Sequence, residues 1–256
     1  MKKYNAIPVI FASFFKSGLK SMRTRVFILL SLIPVLLMFI VRIVDAASAP
    51  DFFSKVMLSL YFQLLIPVLA LFFGTTIVNE ELDNKTLVYL TTSPVPRQAI
   101  LLGKYLAALM ILLLIVGSGF LLSFLAASFN QLGQAATWEE LGVFLGTSLL
   151  ALFCYSALFT MIGTFMKKSI LIGLFFVFGW ESVVQYFPGV TQKFTIIHWI
   201  KSLLPVQADQ GGFLIFQLQP SPVFESIVVL ATAGLLFLIL AVLIFQRKEY
   251  ILSDNA

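Results

Sequence analysis

One cysteine, Cys154, and one histidine, His198, are all that 256 residues provide of either type. Within one chain that excludes a disulfide and a cysteine-histidine zinc site, and it leaves the redox compartment unread. Charge is scarce too, at 11% of residues. The few acids form no paired-Asp motif and no serine-histidine arrangement stands out, so an intramembrane enzyme ranks low. Neither G-x-x-x-x-G-K-[ST] nor G-x-G-x-x-G occurs, so any nucleotide energy must come from another polypeptide.

What the chain has in excess is apolar surface. Hydrophobic residues make up 60%, there are 27 phenylalanines, and the mean hydropathy is +1.00. One soluble core cannot hide that much, and apolar runs near membrane length recur along the chain, which marks an integral membrane protein. The runs predict six helical spans near Val26–Val41, Val56–Val78, Tyr105–Ser128, Leu141–Met166, Ser169–Tyr186 and Ile227–Gln246. Helices are required because an unpaired amide in lipid costs several kcal/mol. The first run is short for a core of about 30 Å unless it extends toward Arg23 or Asp45. Pro34 and Pro67 are tolerated inside such spans, where each can kink its helix.

Cations set the orientation. Thirteen of the Lys and Arg residues fall in the N-terminal segment, the second and fourth loops and the tail, against four (Arg42, Lys55, Lys193 and Lys201) in the alternate loops. Both termini are therefore expected in the cytoplasm. A cleaved signal peptide is not expected; the AASA at Ala46–Ala49 is the one competing site.

Before the first span, Phe11, Phe14, Phe15, Leu19 and Met22 share one side of a helix and Lys16, Lys20 and Arg23 the other. That describes an amphipathic helix in the cytoplasmic interface, facing anionic headgroups. It reads either as a lateral elbow beside a transport pathway or an ATPase contact, or as a plain anchor.

A polar island, NEELDNKTLVYLTTSPVPRQAILLGK from Asn79 to Lys104, separates the second and third runs. Asn79 is expected to cap a short cytoplasmic helix with Glu80 and Glu81 in its first turn. Leu82, Thr86 and Tyr89 would share one face, with Leu87 and Leu90 beside it. Ser93 and Pro94 form a second start signal, with Pro96 in the first turn and Arg97 one turn in. The island then reads as a short helix, a rigid turn and a helix entering the membrane, either a docking device or a plain hairpin.

In this island the sequence resembles the type-2 ABC transporter permease family. The resemblance rests on Asn79-Glu80-Glu81, Lys85-Thr86-Leu87, Leu90-Thr91-Thr92-Ser93-Pro94, Arg97 and Leu101-Leu102-Gly103-Lys104. It implies an all-α membrane protein of six spans with an amphipathic leader, a cytoplasmic coupling helix and short outer helices before the last span, in a bacterial or archaeal cytoplasmic membrane. By that resemblance Glu80 and Glu81 look like acids entering the coupling segment, Thr86 and Leu87 like its middle, and Ser93, Pro94 and Arg97 like the turn back. The implied partners are two copies of a separate ABC ATPase carrying ATP and Mg, a second and identical permease subunit, and membrane lipids. No cofactor is expected on this chain, no catalytic residue, and no nucleic-acid partner. An exporter working by alternating access is the leading reading, and a non-transporting subunit that relays the state of an ATPase is the alternative. The cargo is left open among drugs, lipids, peptides and ions.

Glu181 follows the run Ile170–Trp180 near the outer end of the fifth span. A charge there must face protein or water, or be neutral. Three roles are open: cargo contact, a structural or gating hydrogen bond, or emergence at the interface. Phe194–Pro205 has helical spacing and resembles the family's short outer or re-entrant helices, with His198 and Trp199 as packing or interface groups. Gly117, Gly119, Gly142, Gly146, Gly173 and Gly179 permit close helix approach; only Gly142 and Gly146 have the four-residue spacing. The phenylalanines of Leu69–Gly74 and Gly173–Trp180 either line an apolar route or face lipid.

Overall fold

The structure is a computed structural model, and it describes residues 6–45, 49–83, 96–128, 135–166, 168–184, 187, 189–205 and 220–247. The described chain is helical: α1 (Ala6–Lys20), α2 (Met22–Val44), α3 (Ala49–Val56), a π-helical stretch (Met57–Leu65), α4 (Ile66–Asp83), α5 (Arg97–Ser128) and α6 (Ala135–Phe165). Then come α7 (Ser169–Leu174), a second π stretch (Phe175–Glu181), a turn of helix (Ser182–Val184), a 3₁₀ segment (Gly189–Phe194), α8 (Ile196–Leu203) and α9 (Val223–Arg247).

Five of these helices are long and apolar enough to cross a membrane: Met22–Val44, Phe52–Val78, Arg97–Ser128, Trp138–Phe165 and Val223–Arg247. The chain is thus an all-α, multi-span membrane protein. The first expected run lengthens at both ends, to Met22 and Val44. The fifth is described from Ser169 to Val184. At about 1.5 Å per residue the described part is roughly 24 Å long.

The end at which α4 finishes and α5 starts is the loop end, and α1 lies there too. The far end carries α3, α8 and the start of α9. Helix α4 packs on α6, α6 on α9, and α1 and α2 on α5. Small residues let α4 and α6 meet backbone to backbone. A Cβ on Gly74 would stand 2.9 Å from Phe159 Cβ and 3.1 Å from the Ser156 carbonyl; one on Gly163 would stand 3.1 Å from Thr75 Cα. Thr75, Ser156 and Thr160 fill the seam, and the two threonine hydroxyls donate to carbonyls of their own helices, 2.7 Å away in each case.

Pro34 lies within α2, where it removes one amide and disturbs the turn before it. The buried Tyr61, in the first π stretch, donates its hydroxyl to the Ser31 carbonyl at 2.9 Å, tying span two to that turn. Its ring stacks on Phe120, with centroids 4.4 Å apart. Gly119 makes room beside it, since a Cβ there would displace the tyrosine oxygen and stand 3.3 Å from the Ser31 carbonyl.

The expected four-residue pair is not a packing seam: a Cβ on Gly142 or on Gly146 would meet nothing within 4 Å among the described residues. The same is true of Gly117, whereas Gly173 lies against Leu71. The two aromatic runs differ. Leu69, Ala70 and Leu71 are fully buried with Phe72 and Phe73 packed on the core, while Phe175, Phe178 and Trp180 are exposed on the outside of the bundle.

Candidate functional site

The polar island grows out of α4. That helix runs unbroken from Ile66 to Asp83, so Asn79, Glu80 and Glu81 continue it near its end. The expected N-cap at Asn79 is therefore corrected: extending an existing helix costs less than nucleating a new one.

Lys104 reaches α4 from α5. It is 4% exposed, and its Nζ lies 3.5 Å from the Ile77 carbonyl, just before those acids in α4. The same ammonium sits 4.3 Å from the centre of the Phe14 ring on α1, a cation-π contact. Gly103 beside it lets α1 come close, since a Cβ there would be 2.9 Å from Ile10 and 3.2 Å from the Ile7 carbonyl. One lysine on α5 thus touches both α1 and α4.

Sequence reasoning used Lys104 only as a cation to be counted and as the end of a motif. Its place two turns inside an apolar helix, next to a glycine, was the available signal.

Arg97 is exposed at the first residue of α5, where the Pro96 carbonyl accepts from the amides of Ala99 and Ile100 at 2.9 and 3.4 Å. Thr86, Leu87, Ser93 and Pro94 lie outside the described residues.

On α1, Ile7, Ile10, Phe11, Phe14 and Phe15 are partly buried and Lys16 and Lys20 are exposed. Leu19 and Met22, expected on the same apolar face, are 40% and 69% exposed, because the helix breaks at Ser21. The break is pinned: Ser21 N and the Thr24 hydroxyl both donate to the Gly18 carbonyl, at 3.1 and 2.6 Å.

At the far end Glu181 is 4% exposed and holds three groups. Its Oε1 accepts from Ile196 N at 2.9 Å, and its Oε2 from Ile197 N at 3.0 Å and from the Tyr155 hydroxyl at 3.3 Å. The two amides are the first of α8, which Thr195 leaves without a side-chain cap. A carboxylate from the fifth apolar helix therefore performs the capping, and the dipole of α8 favours its charge.

Helix α8 is tied onward to α9. The His198 ring nitrogen Nε2 lies 3.2 Å from Ser221 Oγ, the Ser202 hydroxyl donates to the His198 carbonyl at 2.9 Å, and Ser221 N donates to Ser202 Oγ at 3.1 Å. Burial, the largest cause, pushes the imidazole below its ordinary value; Lys193 and Lys201 add to this and Glu225 opposes it. That shift favours the neutral ring. Burial also pushes Lys201 down to about 8, against the pull of the Glu181 carboxylate.

The spans, the island between two of them and its junction with α1 bear on one comparison. Residues 11–250 match the family described as ABC-2 family transporter protein. The chain belongs to that family. It is a membrane permease of the kind that forms the transmembrane subunit of an ABC transporter, and such permeases are not catalytic and pair with ABC ATPase subunits. No curated protein matches this permease.

Proposed function

We propose that this permease works as an exporter subunit in a pair of identical copies, with two ATPases gripping the segment between α4 and α5. Glu80, Glu81, Thr86, Leu87, Ser93, Pro94 and Arg97 form the contact. In this reading both termini are cytoplasmic, the loop end faces the cytosol, and α1 lies in the interface. The helix described over Ser169–Val184 makes the sixth crossing.

The observation that carries the reading is continuity. Helix α4 reaches past its apolar run to Asp83 and α5 starts at Arg97. A push on the short segment between them enters two spans directly, and through Gly74 and Gly163 it reaches α6. At the far end Glu181 acts as a gating clamp, coupling α6 and the fifth helix to α8 and α9.

Coexpression with the ATPase tests the contact. Combined replacement of Glu81, Thr86 and Pro94 is expected to leave the permease folded, to lower ATPase recovery in the complex and to uncouple hydrolysis from transport. Unchanged assembly, hydrolysis and transport would reject the role.

A further inference from the structure

His198 on α8 is a buried titratable group that the coupling role does not use; it is 2% exposed. On one edge of its ring, Nε2 lies 3.2 Å from the Oγ of Ser221, two residues before α9. On the other edge, Nδ1 is buried and meets no hydrogen-bond partner among the described residues. Trp199 stands edge-on to the ring, with centroids 5.3 Å apart.

The two protonation states of the ring differ sharply in such a place. A neutral imidazole with its hydrogen on Nε2 donates to Ser221 and leaves Nδ1 a bare lone pair, whereas the imidazolium has an N–H on both nitrogens. The second N–H would be a buried donor without an acceptor, on a group that has just become charged. The charges that act on the ring do not compensate: Lys193 of the 3₁₀ segment and Lys201 of α8 repel a cation, and Glu225 of α9 attracts one. The other titratable groups on the elements packed against α8 are committed or lie elsewhere. Tyr61 of the π stretch donates to Ser31, Tyr155 of α6 donates to Glu181, Glu140 of α6 accepts from Ser54, Cys154 of α6 is buried in the core, and Glu139 of α6 does not act on the ring. Glu181 itself holds the first amides of α8.

We propose that His198 is an acid-operated catch between α8 and α9: the neutral ring holds the two together, and a solvent proton taken up on Nδ1 releases them. Ser202 and Ser221 share this junction, so the catch frees the C-terminal half of α8 while Glu181 retains its first turn. Burial gives the sign. A histidine whose value in the closed junction lies below its ordinary 6.5 stabilises that junction fully above 6.5, and the contribution is lost as the pH falls from 6.5 through the lowered value. The inference requires neither an ATPase nor any cargo.

The test uses the full permease alone, in phosphatidylcholine vesicles and without a histidine tag, so that His198 is the only histidine in the chain. With ¹⁵N-labelled histidine, the ring is expected to have its hydrogen on Nε2 near pH 7 and to titrate with a midpoint below 6.5 as the sample is taken to about pH 5. That range stays below the value of about 8 to which Lys201 is pushed, so the lysine is charged throughout. Over the same range, protection of the Ile200–Leu203 amides, corrected for the intrinsic rate of exchange, is expected to fall about tenfold, the size of one buried donor left without an acceptor. In His198→Gln, whose side chain is long enough to reach Ser221 and does not titrate, protection is expected to stay constant. A midpoint at or above 6.5, constant protection in the unmodified permease, or an equal fall in the glutamine variant, which would place the titration at Glu181, overturns the inference. The first two of these readouts need no substitution, so they decide the matter even if the variant does not fold.

Discussion

Replacing Glu181 by alanine is expected to release α8 from the fifth apolar helix and to abolish transport while leaving ATPase binding intact. The carboxylate holds two amides of α8 and the Tyr155 hydroxyl. Removing it leaves buried donors without an acceptor, at about 1–3 kcal/mol each. Hydrogen exchange at Ile197–Leu203 is expected to quicken about a hundredfold, which corresponds to the lower part of that cost summed over the amides. Glu181→Gln keeps the shape and one carbonyl oxygen but turns an N–H₂ toward a donor, so it is expected to fall between. Unchanged exchange in the alanine variant would show that the clamp holds nothing, and the gating role would fail with it.

The second large effect is expected at the α4–α6 crossing. Gly163→Leu puts a side chain where Thr75 Cα is 3.1 Å and its carbonyl oxygen 3.2 Å from a Cβ. Those neighbours are backbone atoms and cannot rotate away, so the two helices must separate. Overpacking of this kind costs about 3 kcal/mol or more, and thermal unfolding in detergent is expected to fall by roughly 6–12 °C. Gly146→Leu, with open space around it, is expected to be close to neutral. Equal effects at the two positions would contradict the close crossing.

These two sites also show what a sequence can and cannot disclose. The long apolar runs were legible because burial in lipid demands one continuous property, and five of the six reappear as long apolar helices with ends shifted by eight residues or fewer. The second run, Val56–Val78, lies within Phe52–Val78, but its π stretch at Met57–Leu65 left no trace in hydropathy. The fifth run was legible as apolar, while the π stretch that ends at the buried Glu181 left no trace in hydropathy either.

Glycine spacing was misleading for a related reason. Gly142 and Gly146 share a face of their own helix, but nothing in one helix names its partner. Gly74 and Gly163 have no such spacing and form a close backbone approach.

Glu181 was recognisable as costly, which is why three roles stayed open. Its partners could not be named, since two of them are backbone amides, and any residue could have supplied those. Asn79 was misread because a capping residue looks the same at the start of a new helix as it does inside an old one. Lys104 had been counted for its charge; its contacts with Phe14 and Ile77 depend on the packing of α1 and α4 against α5.

The central claim is that the segment between α4 and α5 lies in the cytosol and grips the ATPase. The single cysteine makes this directly measurable, because Cys154 is fully buried and a cysteine placed at Thr86 would be the only reactive one among the described positions and that site. In intact cells containing the permease and its ATPase, the Thr86→Cys variant is expected to resist an impermeant maleimide added outside, and to crosslink to the ATPase with a yield that changes when ATP is bound. Labelling from outside the cell, or an active complex in which this position never reaches the ATPase, would contradict the account.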